Sequence, residues 1–172
     1  MSKLKKYKMF IDGEWVDSES KKTFKTLNPE TNEPWAEVPE ANEKDIDKAV
    51  KAAQKAFEGS WPSLFPRERA SYLRAIANEL RENAELLGKI ETIDTGKLFK
   101  ETKNQANYIA EYYDYYAGLA DKVEGTVLPI DKANMQVITT RVPIGVVAAI
   151  IPWNSQMLLT AVKLAPALAM GN

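Results

Sequence analysis

Several residue types and motifs are missing from this chain, and each absence narrows what its residues can do. The 172 residues contain no cysteine and no histidine. They therefore form no disulfide and offer neither a thiol nucleophile nor a Ser–His or Cys–His pair. No His/Cys/Asp/Glu cluster has the spacing of metal ligands. A G-x-G-x-x-G fingerprint and a P-loop are also missing, so the two common nucleotide-binding signatures are excluded.

Charge and hydropathy exclude further classes of protein. Lysine and arginine number 23 and the acidic residues number 24, which leaves a net charge of −1. This balance favours neither nucleic acid nor an acidic membrane as partner. The N-terminus lacks the continuous apolar core of a signal peptide, and no apolar run approaches the roughly 18 residues of a membrane span. We therefore expect a globular, cytoplasmic protein.

The first forty residues predict short strands separated by turns. Lys8–Val16 (KMFIDGEWV) places two strand-like runs around Asp12-Gly13, a favoured two-residue hairpin turn. A second extended piece covers Thr23–Leu27, and a third covers Trp35–Val38 after a cluster of turn residues. Together these pieces predict a small β-meander.

Four helices are predicted after these strands. Asn42 is the expected N-cap of the first, with Asp45 at its third position. Apolar residues recur on one face of this helix, at Ile46, Ala49, Val50, Ala53 and Phe57. The others are expected from Pro66 with a stripe at Leu73, Ile76, Ala77 and Leu80, near Ala84–Thr92, and over Phe99–Ala120. The last carries five tyrosines, including Tyr108, which serve either packing or a binding role.

The character of the chain changes after residue 122. Gly125–Ile130 and Met135–Thr140 read as two strands joined by a polar turn, an arrangement typical of an arm. Val146–Ile151 is apolar and four of its six residues are β-branched, which predicts a strand buried on both faces of a parallel sheet. Trp153 and Asn154 follow it, and a helix is expected over Met157–Met170.

A buried strand, a turn and an apolar helix make the first half of a βαβ unit, so the fold class is α/β. One strand and one helix cannot complete such a sheet, and we expect the chain to be part of a longer enzyme. Ligands of open α/β sheets bind beyond the carboxyl ends of strands, which makes Ile150–Asn154 a candidate ligand site. The residues alone allow a second interpretation, in which Trp153 packs in the core and Asn154 caps the next helix.

Particular segments resemble the aldehyde dehydrogenase family. They are FIDGEWVDS, TLNPETNEP, AVKAAQKAF, ERASYLRAIANEL, ETIDTGK, YYAGLADKVEG and, above all, RVPIGVVAAIIPWN and KLAPALAMGN. The resemblance runs from Met9 to Asn172 and implies an incomplete aldehyde-dehydrogenase-like fold. Residues 1–122 would hold N-terminal elements of the cofactor-binding domain, residues 123–142 oligomerisation-arm strands, and residues 143–172 the start of a Rossmann-like cofactor domain.

The same resemblance implies roles for individual residues. Ile150, Ile151, Pro152 and Trp153 would line the cleft for NAD or NADP. Asn154 would contact the cofactor and donate a side-chain N–H to the oxyanion of a thiohemiacetal, a contact worth roughly 3–4 kcal/mol. Lys163 matches a lysine near the family's proton relay, or is a plain surface lysine.

Further matches concern the substrate tunnel and a cation. The tunnel would be lined by Tyr108, Ser155, Leu158 and Val162. Asp94, with backbone oxygens near Leu27, matches residues that hold a structural monovalent cation in some members; otherwise Asp94 caps a helix end. Many members have an aromatic residue and proline where Ser155 and Gln156 stand here. The tunnel mouth should therefore be more polar and roomier.

The function implied by the resemblance is oxidation of an aldehyde to a carboxylic acid with NAD(P). The catalytic cysteine and the general base would lie outside these residues, so the chain alone should be inactive. The intact enzyme would be a homo-oligomer that acts on a small-molecule aldehyde, with no nucleic acid or membrane partner. The alternative is a non-catalytic binding or interaction module derived from the same fold.

Overall fold

The protein is described by a computed structural model of residues 4–172. Its N-terminal strands are β1 (Lys5–Lys6), β2 (Met9–Ile11), β3 (Glu14–Val16), β4 (Thr23–Asn28) and β5 (Glu33–Pro39). Strands β2 and β3 form the predicted hairpin. Its turn residues Asp12 and Gly13 have φ of 52° and 81°, the left-handed values that a type I′ turn requires.

The prediction of one β-meander is wrong, because the strands divide between two sheets. Strand β5 pairs antiparallel with β4 on one edge and parallel with β1 on the other. Both edges of β5 are thus occupied, and the β2–β3 hairpin cannot join the sheet there. The hairpin stands apart near the first helix, where Lys55 forms an ion pair with Asp12 at 3.4 Å.

Helix α1 (Glu43–Glu58) begins with the capping box that its sequence predicts. The Asn42 side chain accepts from the backbone N–H groups of Lys44 and Asp45, and Asp45 Oδ2 accepts from the Asn42 N–H at 3.0 Å. The predicted apolar face forms but is not covered, since Ile46 remains 58% exposed. At its other end, Phe57 borders an apolar groove that Trp61 and Leu164 also line.

The core lies among helices α2 (Pro66–Glu82), α4 (Phe99–Leu119) and α5 (Gln156–Ala169), with α3 (Ala84–Thr95) packed against α4. Alanines dominate this core, which allows the helix backbones to approach closely. Leu73 and Ile109 are the largest apolar side chains that are fully buried. Its members are Ala70, Leu73, Ala77, Ile109, Ala110, Tyr113, Ala117, Ala120, Ala161, Ala165 and Ala169. The predicted stripe of α2 thus packs inward as expected.

The tyrosines of α4 have different environments. Tyr113 is buried in the core, where burial raises the pKa of its phenol. The pKa of Tyr112 is raised to about 12, mainly by a hydrogen bond with Tyr116 and secondarily by burial. Tyr108 and Tyr115 are more than half exposed. Packing accounts for the inward tyrosines, and Tyr108 is left accessible.

The predicted arm forms only a minimal hairpin. Strands β6 (Val127–Leu128) and β7 (Val137–Ile138) pair antiparallel, and the rest of the two predicted strands is irregular. The Thr126 N–H donates to Thr139 Oγ1 at 2.9 Å next to this ladder. The domain boundaries at residues 122 and 142 remain predictions, and the first three residues of the first domain lie outside the described range.

The predicted strand at Val146–Ile151 is absent, since the described structure is irregular from residue 139 to residue 152. Ile150 is 93% exposed, so the expectation of burial on both faces is also wrong. A strand exists only by hydrogen bonding to a neighbour, and within residues 4–172 no strand is paired with this segment. In the same range no helix is long and apolar enough to cross a membrane.

Candidate functional site

The candidate site is a short 3₁₀ turn, Trp153–Ser155, that leads directly into α5. Pro152 precedes it with extended backbone (φ −73°, ψ 156°). Trp153 is 77% exposed and Asn154 is also exposed. The exposure of Trp153 contradicts the interpretation that its indole packs in the core.

The alternative role of Asn154 as a helix cap is also contradicted. Ser155, not Asn154, occupies the N-cap position of α5, and no side-chain capping bond is made there. Among residues 4–172, the Asn154 carboxamide therefore makes no hydrogen bond that would give it a structural role. It is presented to solvent at the start of the helix, where a ligand could accept its N–H.

The carboxyl end of α3 meets this turn through Asp94. Asp94 Oδ1 accepts from Thr26 Oγ1 at 2.7 Å and from Trp35 Nε1 at 3.2 Å. Its Oδ2 accepts from Gln156 Nε2 at 3.0 Å. One carboxylate therefore joins β4, β5, α3 and the first residue of α5. The interpretation of Asp94 as a cap for a helix end is wrong, because its side chain bonds across elements.

A second contact from the same region involves Lys97. Gly96 ends α3 in the left-handed region, with φ of 77°, and turns the chain so that Lys97 lies back against the helix. Lys97 Nζ donates to Glu91 Oε1 at 3.0 Å and to Ser155 Oγ at 2.6 Å. Glu91 is 96% buried by side-chain and backbone area together. Sequence reasoning missed both residues, although a glutamate on the inner face of α3 was a usable signal.

Among the described residues, the side chains of the remaining predicted site residues make no hydrogen bond or ion pair with the Trp153–Ser155 turn. Leu158 packs against the core, Val162 is half-buried on α5, and Ile151 is half-buried before the turn. Ile150 and Tyr108 are exposed on different elements. Lys163 is exposed on α5 and forms no ion pair with any residue in the range 4–172.

The proposed cation ligands lie where β4 is irregular. The register of β4 against β5 shifts between Thr26 and Leu27, and a bulge of this kind leaves backbone groups unpaired. Asp94 accepts three hydrogen bonds out of about four that a carboxylate can take. Among the described residues no group of three or more His, Cys, Asp or Glu could hold a metal ion. A cation here would therefore depend on backbone oxygens.

Comparisons with known proteins match almost the whole chain, including this turn. The model of the aldehyde dehydrogenase family matches residues 15–172. (Z)-2-((N-methylformamido)methylene)-5-hydroxybutyrolactone dehydrogenase of Acinetobacter baylyi is 46% identical over 169 residues, which cover 98% of this chain and 34% of that protein.

Solved structures show the same likeness in three dimensions. A variant of betaine aldehyde dehydrogenase from Staphylococcus aureus, in complex with NAD⁺, matches with a TM-score of 0.91 and 38% identity over 95% of this chain and 33% of that one. An aldehyde dehydrogenase from Bacillus cereus matches with a TM-score of 0.93 and 40% identity over 97% of this chain and 34% of that one.

The described fold is a mixed α/β arrangement that matches solved aldehyde dehydrogenases over 95% or more of this chain. The chain belongs to the aldehyde dehydrogenase family. It spans about a third of the length of the relatives that it matches. The predicted partial aldehyde dehydrogenase fold is thereby confirmed.

Proposed function

We propose that this chain is part of an enzyme that oxidises an aldehyde to a carboxylic acid with NAD or NADP. The observation that carries the proposal is the exposed Trp153–Ser155 turn, in which Asn154 is neither buried nor used as a cap. Membership of the aldehyde dehydrogenase family supplies the chemistry. The bound NAD⁺ of the Staphylococcus aureus relative supports the choice of cofactor.

Asn154 acts on the charge that develops when a nucleophile attacks the aldehyde carbonyl. Its neutral carboxamide donates an N–H to the carbonyl oxygen as that oxygen becomes an oxyanion, which stabilises the transition state more than the bound substrate. Because the chain contains no cysteine, the nucleophilic thiol has to come from another part of the whole enzyme. The glutamate that activates water is proposed to lie there as well. Lys163 is proposed as a member of the proton relay.

The cofactor would lie against the apolar residues before the turn. Ile150 and Trp153 are 93% and 77% exposed, so Ile150–Trp153 offers an uncovered apolar strip that fits a flat aromatic ring system. When bound there, NAD or NADP would supply the acceptor for the hydride released from the substrate carbon. Tyr108, Ser155, Leu158 and Val162 are proposed to line the approach for the aldehyde, whose identity the residues do not select.

Two further assignments belong to the same proposal. The β6–β7 arm is proposed as an oligomerisation surface, because Val127 and Ile138 are each at least 60% exposed on a two-stranded ladder. Asp94 and the backbone near Leu27 are proposed to hold a monovalent cation that ties the β4 bulge to α3. Both assignments concern assembly and rigidity rather than the chemical step.

The test is Asn154→Ala in the complete enzyme, with Asn107→Ala on the exposed face of α4 as matched control. We expect kcat to fall on the order of 10²–10³-fold, as for other oxyanion donors, while the Kd of NAD⁺ changes little. The control should behave as wild type. An unchanged kcat in Asn154→Ala would refute the assignment. The 172-residue chain by itself should produce no aldehyde-dependent NADH.

A further inference from the structure

The two residues that follow Asn154 are held by side chains from the end of α3 and from the turn after it. Here Ser155 Oγ accepts from Lys97 Nζ at 2.6 Å and Gln156 Nε2 donates to Asp94 Oδ2 at 3.0 Å. Both contacts link the turn to the carboxyl end of one helix.

Ser155 is used in an unusual way for its position. Serine is among the preferred N-cap residues because its hydroxyl accepts a backbone N–H of the first helical turn. Ser155 occupies the N-cap of α5 but makes no such bond, and its Oγ instead accepts from the Lys97 ammonium. A local preference set aside in favour of a long-range contact is expected at functional sites.

The ammonium of Lys97 is itself fixed by a buried carboxylate. Glu91 Oε1 accepts from Lys97 Nζ at 3.0 Å, and the Glu91 side chain is 3% exposed. The second oxygen of Glu91 is buried without a hydrogen-bond partner in residues 4–172. Lys97 keeps 28% of its side chain exposed, so the buried member of the pair is Glu91. Burying a carboxylate is costly, and here the buried carboxylate fixes the ammonium that reaches Ser155.

We propose that Lys97, fixed by Glu91, is a positioning residue that holds Ser155 and thereby sets the direction of the Asn154 carboxamide. This inference rests on the proposed oxyanion role of Asn154. The turn has few other restraints: Trp153 and Asn154 are exposed, and the preceding segment is irregular. Catalytic donors must be placed within fractions of an ångström, and a misplacement of about 1 Å costs on the order of 10²-fold in rate.

The experiment uses the complete enzyme and two ways of breaking the contact. Ser155→Ala removes the acceptor and leaves the Lys97–Glu91 pair intact. Lys97→Met combined with Glu91→Gln removes the donor and avoids a lone buried charge. The control is Lys89→Met, which breaks an exposed ion pair with Glu85 on the same helix. Ser155→Thr keeps the hydroxyl and should restore the contact.

Two readouts are needed, kinetics and backbone hydrogen exchange at residues 153–157. We expect kcat to fall about tenfold or more, with KM for NAD⁺ nearly unchanged, and exchange to quicken in both variants. Ser155→Thr should keep exchange at residues 153–157 near the wild-type rate, because its hydroxyl still accepts from Lys97, and Lys89→Met should resemble wild type in both readouts. Combining the two variants should lower kcat no further than either alone, because they remove the same contact. Additive losses would mean that Ser155 acts on substrate directly and would overturn the proposal.

The remaining outcomes separate this inference from the function on which it rests. Unchanged exchange in both variants means that Lys97 does not hold the turn, which overturns the proposal. A second outcome is that Asn154→Ala disables the enzyme, while the two contact variants exchange faster but keep normal kcat. This outcome overturns the positioning role of Lys97 and leaves the oxyanion role of Asn154 intact. If Asn154→Ala leaves kcat intact, the oxyanion assignment fails and the positioning role fails with it.

Discussion

Gly88→Ala tests how tightly α3 is fixed against α4, and hence how rigidly Asp94 and Lys97 are held. A Cβ at Gly88 would lie 2.8 Å from both the Cα and the backbone nitrogen of Lys103. An ordinary carbon–carbon contact is roughly 3.5 Å, so α3 must retreat from α4. Lys103 cannot yield instead, because its backbone belongs to α4 beside fully buried Ala106.

The expected change in the free energy of unfolding of Gly88→Ala is the sum of two opposing effects, helix propensity and overpacking. Alanine has a better helix propensity than glycine by about 1 kcal/mol, whereas overpacking a close contact costs about 1–3 kcal/mol. The cost should be near its upper end because the clash is with backbone rather than with a flexible side chain. The retreat also strains the hydrogen bond of 2.9 Å from Thr102 Oγ1 to the Gly88 carbonyl. We expect a net loss of about 2 kcal/mol in the free energy of unfolding.

The assay is urea unfolding followed by circular dichroism, with Gly118→Ala as the matched control. Gly118 also lies in a helix, but nothing is within 4 Å of its Cβ position, so alanine should stabilise by up to about 1 kcal/mol. With a slope of about 2 kcal/mol/M, the midpoint of Gly88→Ala should fall by roughly 1 M. Equal midpoints for the two variants would refute the close packing of α3 on α4.

Three further predictions concern charge, core and surface. The pKa of Asp45 is held below its ordinary value of 3.8, first by the backbone N–H of Asn42 and then by the Glu19 N–H and the Ser18 hydroxyl. Its ionised form therefore stabilises the fold at neutral pH, and this stabilisation is lost as pH falls below about 4. In wild type the unfolding midpoint should fall as pH is lowered from 6 to 2, and in Asp45→Asn it should fall less. Leu73→Ala should lower the free energy of unfolding by about 3 kcal/mol, because Leu73 is fully buried; a loss below about 1 kcal/mol in urea titration would contradict the described core. The isolated chain should self-associate in light scattering, because Val146 and Val147 border an apolar groove of about 350 Å³ with Phe57, Trp61 and Leu164; a monodisperse monomer would show that this surface is not adhesive.

The helices and turns of this protein are largely determined by sequence-local signals. The Asn42 capping box, Pro66 at the start of α2 and the Asp12-Gly13 turn each depend on residues within about one helical turn of one another. Each therefore appears in the structure where the sequence predicts it. The family resemblance was equally readable, because PIGVVAAIIPWN is a contiguous segment.

Tertiary structure decided the features that depend on distant partners. Val146–Ile151 has the composition of a buried strand, yet a strand forms only where another backbone pairs with it, and composition cannot supply that neighbour. The α1 apolar stripe is exposed for the same reason, since amphipathicity predicts a face but not what covers it. The contact between Lys97 and Ser155 joins residues 58 positions apart. It exists because Gly96 turns the chain back on α3 while α5 packs across α4, and no local pattern encodes that meeting.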